Sequence, residues 1–306
     1  MTGKLLRSIS AVSAAAAALL PVVASAQEVG APIPGAIGLQ PSVTPIMDSI
    51  HAFHDGPLLW TSILIATLVL VLLIVVMVRF NAKANATPSK TSHNTLIEVI
   101  WTVAPVLVLV IIAIPSFAVL TDQLTIPDGE RKYLGKNIFS FGDVDVPAPG
   151  LTVKAIGQQW YWDYEYVDEG QSFSSSMLKE TSSDGIDRPT LKPDQPRLLA
   201  VDNEMVVPVD TTVRVEVTAD PTGVIHSFAM PSFGIKVDAV PGKLNETWFY
   251  ARKEGIYYGQ CSELCGKDHA FMPIAIRVVS QAEYDMWMTT LQAGFVDDAN
   301  ATLPPL

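Results

Sequence analysis

The stretch Gly255–Val279 reads GIYYGQCSELCGKDHAFMPIAIRVV and consists of two strand-like runs around a short polar loop. GIYYGQ and FMPIAIRVV are rich in the β-branched and aromatic residues that favour strands. Between them, Cys261 and Cys265 are four residues apart, and His269 and Met272 follow. The pattern indicates a β-domain in which one loop gathers two thiols, an imidazole and a thioether.

These side chains, with His226 in the upstream run VIHSFAM, favour copper. Thiolate and thioether are soft ligands and imidazole is borderline, whereas zinc would need only four ligands. A blue-copper ion uses a single Cys, so this set has a thiolate to spare. If both thiolates bridge, two ions each gain two sulfurs and one imidazole, and Met272 and the carbonyl of Glu263 can act as weak outer ligands. Such a closed site suits electron transfer.

Two other interpretations of the same residues remain open at this stage. Two cysteines in an oxidising compartment most often form a disulfide, with the His and Met as ordinary surface or core residues. A membrane-tethered copper-delivery protein would also carry soft ligands, although a closed site hinders release of the metal.

The composition predicts a membrane-anchored protein. Of the 306 residues, 49% are hydrophobic and only 17% are charged, and the mean hydropathy of +0.31 is high for a soluble chain. The net charge of −11 argues against nucleic acid as a partner, because little here would neutralise phosphates. A basic partner fits this charge better.

Three apolar stretches occupy the N-terminal part. Residues 1–26 combine an early Lys and Arg, an alanine-rich run and the small-x-small end Ala24-Ser25-Ala26, which is typical of a cleaved signal peptide. A retained anchor helix is the alternative, although its apolar part is short and interrupted by Pro21. The stretches within 58–80 and 95–120 each provide about the 20 residues that cross a bilayer.

Positive charge gives the orientation of the two spans. Arg79, Lys83 and Lys90 lie in or beside the connecting loop, whereas residues 27–57 contain no Lys or Arg, so the loop is predicted to be cytoplasmic. The predicted segments are a signal peptide (1–26), an exported N-terminal segment (27–57), a first transmembrane helix (58–80), a cytoplasmic loop (81–94), a second transmembrane helix (95–120), a periplasmic β-domain (121–280) and a C-terminal helix and tail (281–306).

Glu98 has two interpretations. Thr95-Leu96-Ile97-Glu98 matches a capping box with Thr95 as the N-cap, which is a sufficient structural reason for the carboxylate. A carboxylate at the cytoplasmic mouth of a membrane helix also suits a proton acceptor.

The exported part has the spacing of a sandwich or small barrel, with short apolar runs separated by turn residues from Leu151 onward. Strand alternation in QWYWDYEY, residues 159–166, places Trp160 on the same side as Trp162, Tyr164 and Tyr166. Residues 168–196 are polar and rich in Ser, Asp and Pro, and are expected to form a long surface insertion. Residues 281–293 have the apolar spacing of an amphipathic helix.

These motifs together resemble subunit II of the haem-copper cytochrome c oxidases of the bacterial aa3 kind. The resemblance rests on GQQWYWDYEY, VIHSFAMPSFGIKVDAVPGK and YYGQCSELCGKDHAFMPI, together with the helical segment around residues 91–102, and covers nearly the whole chain after residue 40. It implies a two-helix transmembrane hairpin followed by an all-β cupredoxin-like sandwich or barrel domain. That domain would hold the dinuclear copper centre CuA.

The resemblance also implies a role for individual residues. The implied CuA ligands are His226, Cys261, Cys265, His269, Met272 and, through its carbonyl, Glu263. The Glu263 carboxylate would bind a magnesium ion shared with subunit I. Electrons would enter near Trp160, and Glu98 would lie at the mouth of the K proton channel. The implied docking carboxylates for cytochrome c are Glu165, Asp202 and Asp238, although Gly223 and Ser174 stand where the family often has acids.

In this family, cytochrome c donates electrons that pass through CuA to haem a of subunit I, which also holds haem a3 and CuB, for oxygen reduction coupled to proton pumping. The implied location is the bacterial inner membrane, in contact with its lipids and the other oxidase subunits. A quinol-oxidase subunit would lack the copper ligands, and nitrous-oxide reductase would need more than the five His present.

Overall fold

Two long apolar helices precede a β-domain in the computed structural model, which describes residues 30–140, 142–179, 190–191 and 195–304. The predicted signal peptide lies outside these residues. The helices are α1 (Pro45–Phe53), α2 (Leu59–Arg79), α3 (Thr95–Leu124), α4 (Gln281–Ala293) and α5 (Val296–Asn300), and a π-helical turn, His54–Leu58, joins α1 to α2.

The strands of the described residues follow α3 and precede α4. They are β1 (Lys132–Tyr133), β2 (Val144–Asp145), β3 (Leu151–Gln158), β4 (Tyr161–Tyr166), β5 (Gln171–Ser175), β6 (Met205–Pro208), β7 (Thr212–Ala219), β8 (His226–Met230), β9 (Ile235–Ala239), β10 (Asn245–Tyr250), β11 (Gly255–Cys261) and β12 (Pro273–Val279).

Both α2 and α3 are long and apolar enough to cross a membrane. The side chains of α2 are exposed along most of its length, and none is buried, as expected for a helix whose outer surface faces lipid. Helix α3 continues to Leu124, beyond the span predicted for it.

Helix α3 also begins with a different cap from the one predicted. Asn94, not Thr95, is the N-cap, because its side chain accepts hydrogen bonds from the backbone N–H groups of Leu96 and Ile97. Glu98 Oε1 accepts from the Asn94 N–H at 3.1 Å. The reciprocal capping arrangement is therefore present, but shifted by one residue, since Asn competes well with Thr for this position.

Two five-stranded sheets form the β-domain, in the orders β10-β7-β3-β4-β5 and β6-β12-β11-β8-β9. Neighbours are antiparallel except for β3 with β7 and β12 with β6. Strict burial of alternate residues in β3 shows that one face of its sheet packs on the core. With the two apolar helices, the sandwich confirms the predicted architecture of two membrane-capable helices followed by an all-β, cupredoxin-like domain.

The aromatic segment is buried on one side, with one exception. Trp162, Tyr164 and Tyr166 are fully buried in β4, whereas Trp160 lies in the turn before the strand and is half-buried. Strand alternation therefore stops one residue short of Trp160. The predicted surface insertion is also only partly correct, because Gln171–Ser175 forms β5 and pairs with β4.

A buried junction fixes the membrane helix to the sandwich. Trp248 Nε1 donates to the carbonyl of Asp122 near the end of α3 at 2.9 Å, and Tyr133 packs edge-on against Trp248. The Asp122 carboxylate accepts from Arg131 and from the Leu134 N–H, both at 2.8 Å. The last turn of α3 is thus part of the domain's core.

Helix α1 attaches the chain before the membrane to the same domain. Thr44, its N-cap, donates to the Phe233 carbonyl at 2.7 Å, and Asp48 pairs with Arg252 at 2.9 Å. Ile46 and Met47 are buried. This packed helix within residues 27–57 was not predicted from the sequence.

The N-terminal cap of α4 gives a test of local stability. Ser280 accepts from the Glu283 N–H, and Glu283 accepts in return from the Ser280 N–H at 2.9 Å. We expect Ser280→Ala to lower the free energy of unfolding by about 0.5–2 kcal/mol. Denaturant unfolding of the detergent-solubilised chain measures this, with Thr289→Ala, an exposed site on the same helix, as a near-neutral control.

The same cap predicts a pH dependence. Hydrogen bonds from Ser280 hold the pKa of Glu283 below its ordinary value. A lowered folded-state pKa contributes stability at neutral pH that is lost as pH falls through that pKa. The difference in unfolding free energy between the wild-type chain and Ser280→Ala should therefore shrink in acid, and a constant difference would show that the bond from the Ser280 hydroxyl to the Glu283 carboxylate adds no stability.

Candidate metal centre

The loop between β11 and β12 places most of the candidate ligands. Cys261 ends β11, Cys265 follows after a short turn, and a single turn of 3₁₀-helix at His269–Phe271 leads to Met272 just before β12. The upstream histidine comes from the neighbouring strand, because Cys261 pairs with Phe228 two residues after His226. Sheet pairing therefore brings the two sequence segments together.

Sulfur atoms lie at the centre of the site. Cys261 Sγ and Cys265 Sγ are 3.9 Å apart and both thiols are free. Cys261 Sγ is 3.8 Å from His226 Nδ1, and Cys265 Sγ is 3.5 Å from His269 Nδ1. Each thiol thus faces one imidazole through the same ring nitrogen.

Two weaker donors complete the set. The Glu263 carbonyl oxygen is 3.3 Å from Cys261 Sγ, and Met272 Sδ is 3.5 Å from Cys265 Sγ. The structure therefore brings together all the side chains and the carbonyl that the sequence suggested for copper. The ligand atoms of His226, Cys261 and Cys265 all lie within 4.8 Å of one another. Their soft and borderline donors suit copper.

The environment suits metal ligands rather than exposed reactive groups. Burial, and then the neighbouring Cys261, raise the pKa of the Cys265 thiol to about 12. Burial lowers the pKa of His226, which favours the neutral imidazole that a metal requires. The buried Nε2 of His226 has no hydrogen-bond partner among the described atoms. A cation bound between the sulfurs would replace the proton that the Cys265 thiol holds at neutral pH.

Two supporting residues were missed from the sequence. Trp162 lies edge-on to His226 with the ring centroids 6.1 Å apart, and its Nε1 donates to the Met272 carbonyl at 3.4 Å. Gly157 in β3 faces the His226 ring so closely that a Cβ would lie 2.8 Å from Cδ2. A glycine inside a strand often marks such a close approach, so this signal was available.

Comparison with known proteins identifies the family. The family described as "Cytochrome C oxidase subunit II, periplasmic domain" matches residues 151–279, and its transmembrane counterpart matches residues 32–119. A "Probable cytochrome c oxidase subunit 2" of Rickettsia bellii is 46% identical over 273 residues, which cover 89% of this chain and 90% of that protein. The chain belongs to the cytochrome c oxidase subunit II family.

Other relatives agree with this assignment. The "Cytochrome c oxidase subunit 2" of Cereibacter sphaeroides is 39% identical over 295 residues, 92% of this chain and 90% of that protein. A crystal structure of the periplasmic domain of subunit II from Bradyrhizobium japonicum is 55% identical, covers 48% of this chain and 97% of that one, and has a TM-score of 0.42. By its match to both domains of the family, the chain is an oxidase subunit, anchored in a membrane and carrying a periplasmic domain.

The residue suggested for electron input in this subunit II lies directly beside the cysteine loop. Trp160 Nε1 donates to the Cys265 carbonyl at 3.1 Å, and Gln159 Nε2 reaches the same oxygen at 3.4 Å. Because the indole is half-buried, it joins the molecular surface to the backbone of one candidate ligand. The Glu263 side chain is exposed, whereas its carbonyl points to Cys261.

The suggested docking carboxylates differ in their surroundings. Glu165 pairs with Lys154 at 3.0 Å. Asp202 accepts from the N–H groups of Ser176 and Asn203, and burial raises its pKa. In the part of the chain that the structure describes, no ion pair involves Asp238, which is exposed.

The structure also places Ser174 and Gly223, the two positions where the resemblance suggested that a docking acid is missing. Ser174, at which the resemblance led us to expect an acid, donates to Asp163 at 2.5 Å, so a carboxylate lies on the neighbouring strand. Gly223 lies in the turn that follows Asp220.

Glu98 lies far along the chain from the metal ligands. It is in the first turn of α3, at the opposite end of that helix from the junction with the β-domain. Thirty residues at 1.5 Å per residue separate the two ends by about 45 Å. Glu98 and the cysteine loop therefore cannot act as one site.

Gly157 supplies a test of the metal site. In Gly157→Ala the new methyl group should displace the buried His226 ring, so copper retention against a chelator should fall by about 10- to 100-fold. Metal analysis of the purified chain measures this. Gly38→Ala, where nothing lies within 4 Å of the added carbon, is the matched control. Wild-type retention in Gly157→Ala would show that the ring is free to move.

Proposed function

We propose that this chain is the electron-transfer subunit of the oxidase, taking electrons from cytochrome c and passing them to haem a of subunit I through a dinuclear copper site. The observation that carries the proposal is the arrangement of two unbonded thiols 3.9 Å apart, each facing one imidazole. A disulfide would need the sulfurs at about 2 Å, so the geometry favours a pair of bridging thiolates over a crosslink.

The ligand set suits two ions with no position left for a substrate. Cys261 and Cys265 would bridge, His226 and His269 would each bind one ion, and Met272 and the Glu263 carbonyl would be weak outer ligands. Copper bound here would supply a one-electron redox couple. The chain's own contribution is to hold the donors in a buried cage between paired strands, which limits rearrangement when the charge changes.

The closed cage also disfavours the copper-delivery alternative. Cys261, Cys265 and Met272 are buried, with at most 6% of each exposed, so an acceptor protein has little access to the sulfurs. A protein that hands over its metal needs ligands that can exchange. Electron transfer needs only close approach of the donor.

The remaining roles are proposals on the same basis. We propose that Trp160 receives the electron at the surface, since it bonds to the Cys265 carbonyl. The exposed Glu263 carboxylate is available for a magnesium ion shared with subunit I. Glu98, at the start of α3, would admit protons to the K channel while also capping the helix.

We propose the membrane topology that was predicted from the sequence. Residues 1–26 would be a signal peptide, and the remaining segments would keep their predicted bounds, from the exported residues 27–57 to the C-terminal tail at 281–306. The helices would lie in the bacterial inner membrane, with the loop at 81–94 in the cytoplasm and both mature ends in the periplasm. The proposed partners are subunit I, the other oxidase subunits and cytochrome c.

Copper analysis with electron paramagnetic resonance tests the centre. The purified oxidase should contain two coppers in this chain that share one unpaired electron. Cys261→Ser should lose the shared-electron spectrum because one bridge is removed. Met272→Leu, which removes only a weak ligand, should keep both metals and shift the reduction potential. An unchanged spectrum in Cys261→Ser would exclude the bridge, and a single exchangeable Cu(I) would favour copper delivery.

Docking of a basic cytochrome c predicts a salt dependence. Its oxidation rate should fall as ionic strength rises, because the Debye length shrinks from about 10 Å at 0.1 M to about 3 Å at 1 M. Asp238→Asn should flatten this dependence, since that exposed carboxylate has no ion pair in the described residues. Asp285→Asn is the control, because α4 packs at Tyr166, the end of β4 away from Trp160. A flat profile for the wild-type enzyme would reject acidic docking.

A further inference from the structure

A lysine covers the ring through which electrons are proposed to enter. The Lys267 ammonium lies 5.5 Å from the centroid of the Trp160 ring, within the range of a cation–π contact. The neighbouring glycine approaches from the loop, since a Cβ on Gly266 would lie 2.9 Å from Trp160 Cζ2. The loop thus contacts the indole through the backbone of Gly266 and through the ammonium group of Lys267.

The charge of Lys267 is only weakly compensated. Among the described residues it pairs with Asp268 at 3.9 Å, and the two side chains are 77% and 43% exposed. An exposed pair at this distance contributes little binding energy and leaves the ammonium available to a partner. The ring therefore lies under a solvent-facing cation, on a chain whose net charge is −11.

The positive charge of Lys267 repels any lysine that a basic donor brings close to Trp160. Lysines of a basic cytochrome c are attracted by the chain's overall acidity, but a lysine brought up to Trp160 itself would meet Lys267. At 5.5 Å in a water-like dielectric, one pair of unit charges changes a binding constant about threefold. The donor's positive charges must therefore lie away from this point of contact.

We propose that Lys267 is a specificity-determining residue for the electron donor. It favours a donor that presents a carboxylate or an uncharged surface over Trp160 and carries its lysines further out, toward exposed acids such as Asp238. This inference rests on the proposed function, because it takes Trp160 as the point where electrons enter.

The experiment compares donors of opposite charge on the copper-loaded oxidase. Lys267→Met keeps an apolar stem against the indole and removes the charge, and Lys267→Glu reverses it. Reduction by hexaammineruthenium(II), a dication whose interaction with Lys267 is twice that of a unit charge, should speed up about tenfold in Lys267→Met and by up to about a hundredfold in Lys267→Glu at low salt. Reduction by the iron(II)–EDTA anion should slow by similar factors.

Lys253→Met is the matched control. Lys253 is exposed and lies just before β11, whereas Cys261 ends that strand, so about 20 Å separates the two ends. Its removal should change neither rate by more than a small factor.

The possible outcomes distinguish failure of the inference about Lys267 from failure of the proposed electron-transfer function. Opposite changes for the two reductants in the Lys267 variants, with none in Lys253→Met, support charge selection at Trp160. Equal losses for both reductants mean that Lys267 only holds the loop, and unchanged rates mean that electrons enter elsewhere; either result overturns the inference while the wild-type copper centre stands. A wild-type enzyme without the shared-electron copper spectrum would instead overturn the proposed function.

Discussion

The pairing of β11 with both β8 and β12 is the constraint on which the site depends. Because Cys261 is opposite Phe228 in β8, His226 comes to lie beside the first thiol, and the return into β12 limits where Met272 can be. The intervening loop then has only to place Cys265 and His269. A slip of one residue in this register would turn Cys261 to the other face of the sheet.

Packing beneath the site keeps this register rigid. Trp162 and Phe228 are fully buried and meet edge-on, with ring centroids 5.4 Å apart, so the two sheets are locked together directly below the ligands. Gly157 lets β3 approach the imidazole without a side chain between them. Rigidity here comes from the common core of the domain, so the metal loop needs few special contacts of its own.

The sequence predicted what short-range patterns encode and missed what depends on tertiary contacts. The apolar spans, the strand-like runs and the ligand loop each carry a local signal of hydrophobicity or spacing, and the structure contains all three.

Helix α1 was missed because its burial depends on Phe233 and Arg252, far away in the chain. Trp160 was placed on β4 because alternation continues through it, whereas the chain turns there to meet the Cys265 carbonyl. The cap of α3 moved to Asn94 because neighbouring Asn and Thr residues carry the same local signal.

The junction at Asp122 has a consequence for how the two ends of the molecule can be coupled. The Trp248 hydrogen bond and the Asp122 carboxylate make the last turn of α3 part of the sandwich core. The first turn of the same helix carries Glu98, about 36 Å from Asp122 along the helix axis. One continuous helix therefore runs from the sandwich to Glu98, yet among the described residues no series of hydrogen bonds joins Glu98 to the cysteine loop. If protons enter at Glu98 and electrons at Trp160, the two must be coupled in the partner subunit and not through this chain.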